Sequence, residues 1–116
     1  MKNNLSERFE DWAVEIIRLS EKLSKTFVGR HISGQLIRSA TSAGANYEEA
    51  CGGESRADFV HKLQLVLKEM RESLYWLRLI TKSKLIDDNL ISHIYQEADE
   101  LTKIIAKSVV TAKKKK

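Results

Sequence analysis

The feature that most constrains the fold is the spacing of apolar residues, which recur every three or four positions in four successive segments. Such spacing places the apolar side chains along one face of a helix. The chain has 116 residues and no proline, so none of these segments is broken by a residue that helix interiors exclude. The sequence therefore predicts four amphipathic helices and an all-α fold.

The first segment runs from Leu5 to Phe27, and Asn4 with Glu7 forms a capping pattern at its start. Gly29 is predicted to end this helix, because glycine adopts the left-handed conformation of helix ends at little cost. The second helix is then predicted to begin near His31. It carries a core stripe of mostly small side chains.

The glycine pair at positions 52 and 53 predicts the next turn. Ser55 and Asp58 form a capping pattern for the third helix, whose apolar residues keep a near-heptad spacing. Asp87 is the predicted cap of the fourth helix, and Ile86 with Ile91 forms a predicted hydrophobic staple.

Four amphipathic helices with short connections pack most readily as an antiparallel up-down-up-down four-helix bundle. The length suits a single hydrophobic core. We therefore expect one domain over residues 1–112, followed by a basic C-terminal tail over residues 113–116.

A polar stripe borders the small core stripe of the second helix, and its residues have the spacing of a coiled-coil seam. Buried polar groups at a seam need partners, because an unpaired one costs about 1 to 3 kcal/mol. We expect a charge-assisted network between the second and third helices; ordinary exposed polar positions are the alternative. The predicted network comprises Gln35, Arg38, Ser39, Ser42, Asn46, Glu49, Glu69 and Glu72.

A second apolar stripe lies on the third helix, opposite its core stripe. It consists of Leu65, Trp76 and Leu79. One bundle cannot cover both faces of a helix, and aromatic residues are enriched where interfaces bury area. These three residues are therefore the predicted surface for self-association.

The net charge of +4 suggests nucleic-acid binding until its location is considered. The last four residues are all lysine, so the rest of the chain is neutral overall. A terminal lysine run is usually a solvated tail, and electrostatic capture of RNA or DNA is the alternative.

The sequence contains no constellation that predicts catalysis or cofactor binding. His31, His61 and His93 fall on different predicted helices or their ends, and no paired Glu-x-x-His motif for a di-iron site accompanies them. Cys51 has no predicted base beside it, and its being the lone cysteine excludes an internal disulfide. With no apolar N-terminal run, we expect no membrane segment and a cytoplasmic location.

Two stretches, "QLIRSATSAGANYEEA" and "ESRADFVHKLQLVLKEMRESLYWLRL", resemble the bacterial 23S rRNA intervening-sequence protein family, also called four helix bundle proteins. The resemblance implies an antiparallel four-helix bundle that assembles as a homopentamer, a closed cyclic homo-oligomer. Some members are encoded within insertions in 23S ribosomal RNA genes. The fold is similar to the accessory variability protein of diversity-generating retroelements, which binds nucleic acid and a reverse transcriptase.

Taken with this resemblance, the sequence favours a non-enzymatic pentameric adaptor that binds RNA or DNA without sequence preference, because five weakly basic edges add around a ring. Most of the eight aromatic residues lie on core stripes, so we expect salt-dependent phosphate contacts rather than stacking. A scaffold for another protein, without affinity for nucleic acid, is the alternative. The candidate nucleic-acid contacts are Arg30, Arg56, Lys62, Lys82, Lys84, Lys113, Lys114, Lys115 and Lys116.

Overall fold

The computed structural model describes residues 4–53 and 55–114 and confirms the all-α, four-helix prediction. The helices are α1 (Asn4–Leu23), α2 (Phe27–Cys51), α3 (Arg56–Lys82) and α4 (Asp88–Lys114). No strand occurs in the described ranges. Helix α2 contacts α1 and α3, and α4 contacts α3 and α1, so the helices form a bundle around one core. The molecule measures 49 × 24 × 21 Å.

The core combines large side chains from three helices with small ones from α2. Trp12 and Leu101 are fully buried, as are Ala40 and Ala43 of α2. The predicted stripe of α3 is buried from Leu63 onwards. Small residues at a contact allow helix axes to approach closely, which suits the position of α2 in contact with both α1 and α3. Within the described residues, no helix is apolar over a stretch long enough to cross a membrane.

The turn between α1 and α2 lies earlier than the sequence predicts. Helix α1 ends at Leu23, and the Thr26 hydroxyl caps α2 by accepting a hydrogen bond from the backbone N–H of Gly29 at 3.0 Å. Phe27 therefore begins α2 and is 78% exposed instead of lying on the α1 core stripe. Gly29 allows a close approach: a Cβ here would lie 1.7 Å from the Leu23 carbonyl oxygen.

The junction between α2 and α3 follows the predicted signals. Gly52 is the C-cap of α2, and the Ser55 hydroxyl accepts a hydrogen bond from the backbone N–H of Asp58 at 3.0 Å. The same residues that predicted the turn therefore form it.

The turn after α3 contains a left-handed residue that is not glycine. Lys84 has a φ of 55°, and the backbone N–H of Leu85 donates to the Ile80 carbonyl at 3.4 Å. This is the hydrogen-bonding pattern in which glycine is usually preferred. Helix α4 then runs to Lys114, so the first two lysines of the predicted tail, 113 and 114, are helical.

Candidate nucleic-acid interface

Helix α3 carries acidic residues on the side next to α2 and basic residues on the side next to α4. The acidic flank consists of Glu69 and Glu72, which pair with Arg38 of α2. The basic flank consists of Arg71, Arg78 and Lys82, and the last two line a groove shared with α4. Positions 71, 78 and 82 are separated by seven and four residues, which places them on one helical face.

On the acidic flank, Arg38 joins the two helices. Its guanidinium contacts Glu72 and lies 3.3 Å from Glu69, and its Nε donates to the Gln35 side-chain oxygen at 3.4 Å. Trp76 Nε1 donates to the Glu72 carboxylate at 3.0 Å. The hydrogen bond from Trp76 and then that from Arg38 hold the pKa of Glu72 below its usual value. The structure thus gathers half of the predicted network around one arginine.

Beneath these charges lies a hydroxyl pair. The Oγ atoms of Ser39 and Ser73 are 2.7 Å apart, and both residues have no exposed surface. Ser39 also donates to the Leu36 carbonyl at 3.2 Å, so the Ser73 hydroxyl donates to Ser39. Sequence reasoning missed Ser73; its signal was a hydroxyl among the apolar core residues Met70 and Leu77.

The remaining predicted network residues do not join this group. Asn46 donates to the backbone carbonyl of Ser42 within α2 at 2.9 Å, and the exposed Glu49 pairs with Lys62 at 2.7 Å. The predicted contacts of Arg38 with Glu69 and Glu72 are therefore present, whereas Asn46 and Glu49 have other partners. A polar stripe with a 3.5-residue repeat drifts by about 20° per heptad on a straight helix, which turns Glu49 away from the buried seam.

The second apolar stripe, which the sequence places on the solvent side, is partly covered within the bundle. Leu65, Trp76 and Leu79 are all half-buried, and the last two pack against the core. The Trp76 ring meets the rings of His31 of α2 and Tyr75, with centroid separations of 6.5 and 5.0 Å. The Trp76 ring therefore lies at the contact between α2 and α3.

On the basic flank, no cation has a partner in the described part of the chain. Arg71, Arg78 and Lys82 are exposed and make no hydrogen bond or ion pair there. Tyr75, 49% exposed, lies between them in the helical sequence. Arg71 and Arg78 are not among the cations predicted from the sequence, which lie near helix ends; the seven-residue spacing of the two arginines is the signal that could have identified them.

The other candidate cations fall into two groups. Arg56 and Lys113 border one surface depression at the opposite end of α3, and Lys114 is exposed nearby in α4. The second group makes contacts with other residues of the same chain: Lys62 pairs with Glu49, Lys84 pairs with Asp88, and Arg30 donates to the Ser24 carbonyl. Lys115 and Lys116 lie outside the described residues.

The three histidines are dispersed. His93 contacts Glu15 of α1 at 2.6 Å, and His31 contacts Trp76. Among the residues described, no group of three or more His, Cys, Asp or Glu side chains is placed to hold a metal ion.

Comparison with known proteins identifies a family and a solved structure of similar fold. Residues 1–107 match the family model described as 23S rRNA-intervening sequence protein. A crystal structure of a protein with unknown function from the S23 ribosomal protein family, from Bacteroides thetaiotaomicron VPI-5482, has 35% sequence identity and a TM-score of 0.82. The alignment covers 90% of this chain and 97% of that one. No curated protein matches the chain.

Proposed function

Because the chain belongs to the 23S rRNA-intervening sequence protein family, we propose that it is a non-enzymatic helical adaptor that binds the phosphates of RNA. The observation that carries this proposal is the basic flank of α3, where Arg71, Arg78 and Lys82 lie exposed without carboxylate partners in the described chain. Cations left unpaired on a protein surface are available to replace the counterions of a nucleic acid. Binding through phosphates is sequence-independent and weakens with salt.

The proposal includes an antiparallel, up-down-up-down arrangement of the helices in one domain. Arg8, near the start of α1, contacts Glu97 at 2.8 Å, whereas Glu15, later in α1, contacts His93, earlier in α4. Contacts that move backwards along one helix as they advance along the other support opposite directions. This arrangement places the end of α3 beside the start of α4, where the basic flank meets the groove.

We include self-association in the proposal, since one short row of cations gives weak binding and repeated rows add. The support is apolar surface: Phe27 is 78% exposed and Val28 51% exposed at the start of α2. Phe27 lies one helical turn before His31, which contacts Trp76, so this surface continues the contact between α2 and α3. A closed ring of copies, five as the sequence resemblance implies, would repeat the basic flank around its circumference.

Light scattering coupled to size-exclusion chromatography tests the assembly. We expect the wild-type chain to elute at a multiple of its 13.3 kDa mass. Phe27→Lys should elute as a monomer, because a lysine buried in the contact between copies would have no partner. Val110→Lys is the matched control, since Val110 is also exposed but lies near the other end of the bundle. A wild-type monomer at micromolar concentration would contradict the ring.

Fluorescence anisotropy with a labelled RNA tests phosphate binding. The triple variant Arg71→Gln, Arg78→Gln, Lys82→Gln removes the basic flank, and we expect its affinity to fall by about tenfold or more at low salt. The slope of log K against log salt concentration should decrease by about 2.

The matched control removes the same charge from the end of α1 and the turn after it through Arg18→Gln, Lys22→Gln and Lys25→Gln, all exposed positions. We expect this control to bind almost as tightly as the wild type. Equal losses in the two triples would show that net charge, not the basic flank, governs binding. Salt-independent binding by the wild type would contradict phosphate contacts.

A scaffold for another protein is the second candidate, favoured by the same exposed Phe27 and Val28. Affinity capture before and after nuclease treatment separates the two candidates. A partner protein that stays bound after nuclease treatment, together with no RNA affinity in anisotropy, would favour the scaffold.

A further inference from the structure

The basic flank borders a groove whose chemistry differs from that of the flank itself. This groove lies between the end of α3 and the first half of α4 and has a volume of about 390 Å³. That volume lies within the range of small-ligand pockets in proteins. The lining residues that matter here are Arg78, Lys82, Ile91, Ser92, Tyr95 and Gln96.

The rim of the groove favours an anion. Arg78 and Lys82 are exposed on the α3 side and have no partner among the described residues. The carboxylate that lines the groove, Asp88, pairs with Lys84, whose Nζ lies 3.4 Å from its Oδ2. The groove therefore keeps an excess of positive charge at its mouth.

The α4 wall favours a flat, polar-edged group. Ile91 is buried beneath the groove, and Tyr95 is half-buried with its ring packed against the core. Ser92 and Gln96 are exposed on the same wall, and neither they nor Tyr95 makes a side-chain hydrogen bond within the described ranges. An amide and two hydroxyls offer both donors and acceptors, and an aromatic ring offers a stacking surface.

We propose that this groove holds one unpaired nucleotide of a single-stranded RNA. The base lies against Tyr95, its edge meets Ser92 and Gln96, and the adjoining phosphates meet Arg78 and Lys82. A base paired within a duplex cannot enter the groove, so the site selects single strands over double-stranded RNA. This inference rests on the proposed function and narrows it, because phosphate contacts alone would accept either form.

Three labelled RNA probes of equal length and charge per strand test the inference by anisotropy: a single strand, the same strand with abasic riboses, and a duplex. We expect the intact single strand to bind about tenfold more tightly than the abasic strand, in line with the contribution of base stacking. Equal, salt-dependent binding of the intact and abasic strands would overturn the nucleotide site and leave the proposed function standing. Failure of all three probes to bind would overturn both.

Two variants connect the effect to the groove. Tyr95→Leu removes the ring but keeps an apolar side chain, and Gln96→Ala removes an exposed amide with little risk to folding. We expect each to lose affinity for the intact strand, by about tenfold and about threefold respectively, and to leave binding of the abasic strand unchanged. Thr41→Ala, at an exposed position of α2, is the control and should change neither.

An acidic amphipathic peptide supplies the competing occupant. If such a peptide binds the wild type more tightly than the single-stranded RNA does, and loses affinity in Tyr95→Leu, the groove is a protein-docking site and the nucleotide inference is overturned.

Discussion

The two flanks of α3 use charged side chains in opposite ways. On the acidic flank, Glu69 and Glu72 meet Arg38 of the neighbouring helix, so the charges are neutralised inside the bundle. On the basic flank, Arg71 and Arg78 meet no described carboxylate. The difference shows that a charged residue is structural or available for a ligand according to what the adjacent helix presents to it, not according to its own chemistry.

The two flanks also differ in how α3 meets the neighbouring helix. Under the acidic flank, the Ser39 and Ser73 hydroxyls close the α2–α3 seam at 2.7 Å. Beside the basic flank, the α3–α4 seam opens into a groove of about 390 Å³. We therefore expect substitutions on the acidic side to change stability and substitutions on the basic side to change binding.

The largest expected effect is that of Ser73→Leu at the closed seam. The leucine needs space that a fully buried position next to α2 lacks, and it leaves the Ser39 hydroxyl with one partner fewer. We expect a loss of about 2 to 3 kcal/mol in the free energy of unfolding, measured by urea denaturation followed by circular dichroism. Gln64→Leu, at an exposed position of α3, should change stability by less than about 0.5 kcal/mol. Similar costs for both variants would show that the seam is not closed.

Arg38→Met is expected to have the next largest effect, because it leaves two carboxylates on the acidic flank without their cation. Arg38 is 47% exposed, so solvent weakens the ion pairs and we expect a loss of about 0.5 to 1 kcal/mol. Arg71→Met removes the same side chain from the basic flank and should cost less than half as much, since Arg71 has no described partner. Equal costs in urea denaturation would remove the energetic distinction between the flanks.

The pH dependence of stability provides a second comparison of the same two variants. Hydrogen bonds from Trp76 and Arg38 lower the pKa of Glu72 from its usual value of 4.5. A carboxyl with a lowered pKa in the folded state stabilises the fold above its unfolded pKa, and this contribution is lost as the pH falls through the folded pKa. Wild type and Arg71→Met should therefore lose stability below about pH 5 more steeply than Arg38→Met. Parallel pH profiles for all three would contradict the role given to Arg38.

The sequence predicts the helices well because their apolar stripes and caps are local signals. Ser55 caps α3 as expected, and the α3 core stripe is buried from Leu63 onwards. The predicted α1–α2 boundary is wrong because Gly29 is needed for a close approach to the Leu23 carbonyl and does not end α1. A glycine required by a close approach and one required by a left-handed turn look the same in a sequence.

The candidate site is less predictable, because it depends on contacts between helices. Arg38 and its carboxylates share a seam pattern that the sequence shows. By contrast, the sequence does not distinguish Lys62 and Lys84, which have acidic partners in the structure, from Lys82, which has none in the described chain. Arg71 is not predicted as a contact because it lies in the middle of a helix. Whether a cation is unpaired is a property of the packed bundle, which the linear sequence does not contain.

The smallest expected effect is at Lys84, which follows α3 and pairs with the groove residue Asp88. Lys84→Gly relieves a non-glycine residue at a φ of 55° and removes an exposed ion pair of small value, so we expect a net gain of about 0.5 kcal/mol in the free energy of unfolding. The same variant leaves Asp88 unpaired at the groove and should weaken RNA binding by about twofold. Lys84→Ala removes the same charge without relieving the backbone, so it should weaken RNA binding equally and bring no gain in stability. If the glycine and alanine variants are equally stable in urea denaturation, the left-handed conformation carries no cost. If they differ in stability but bind RNA alike, stability and binding are separable at Lys84.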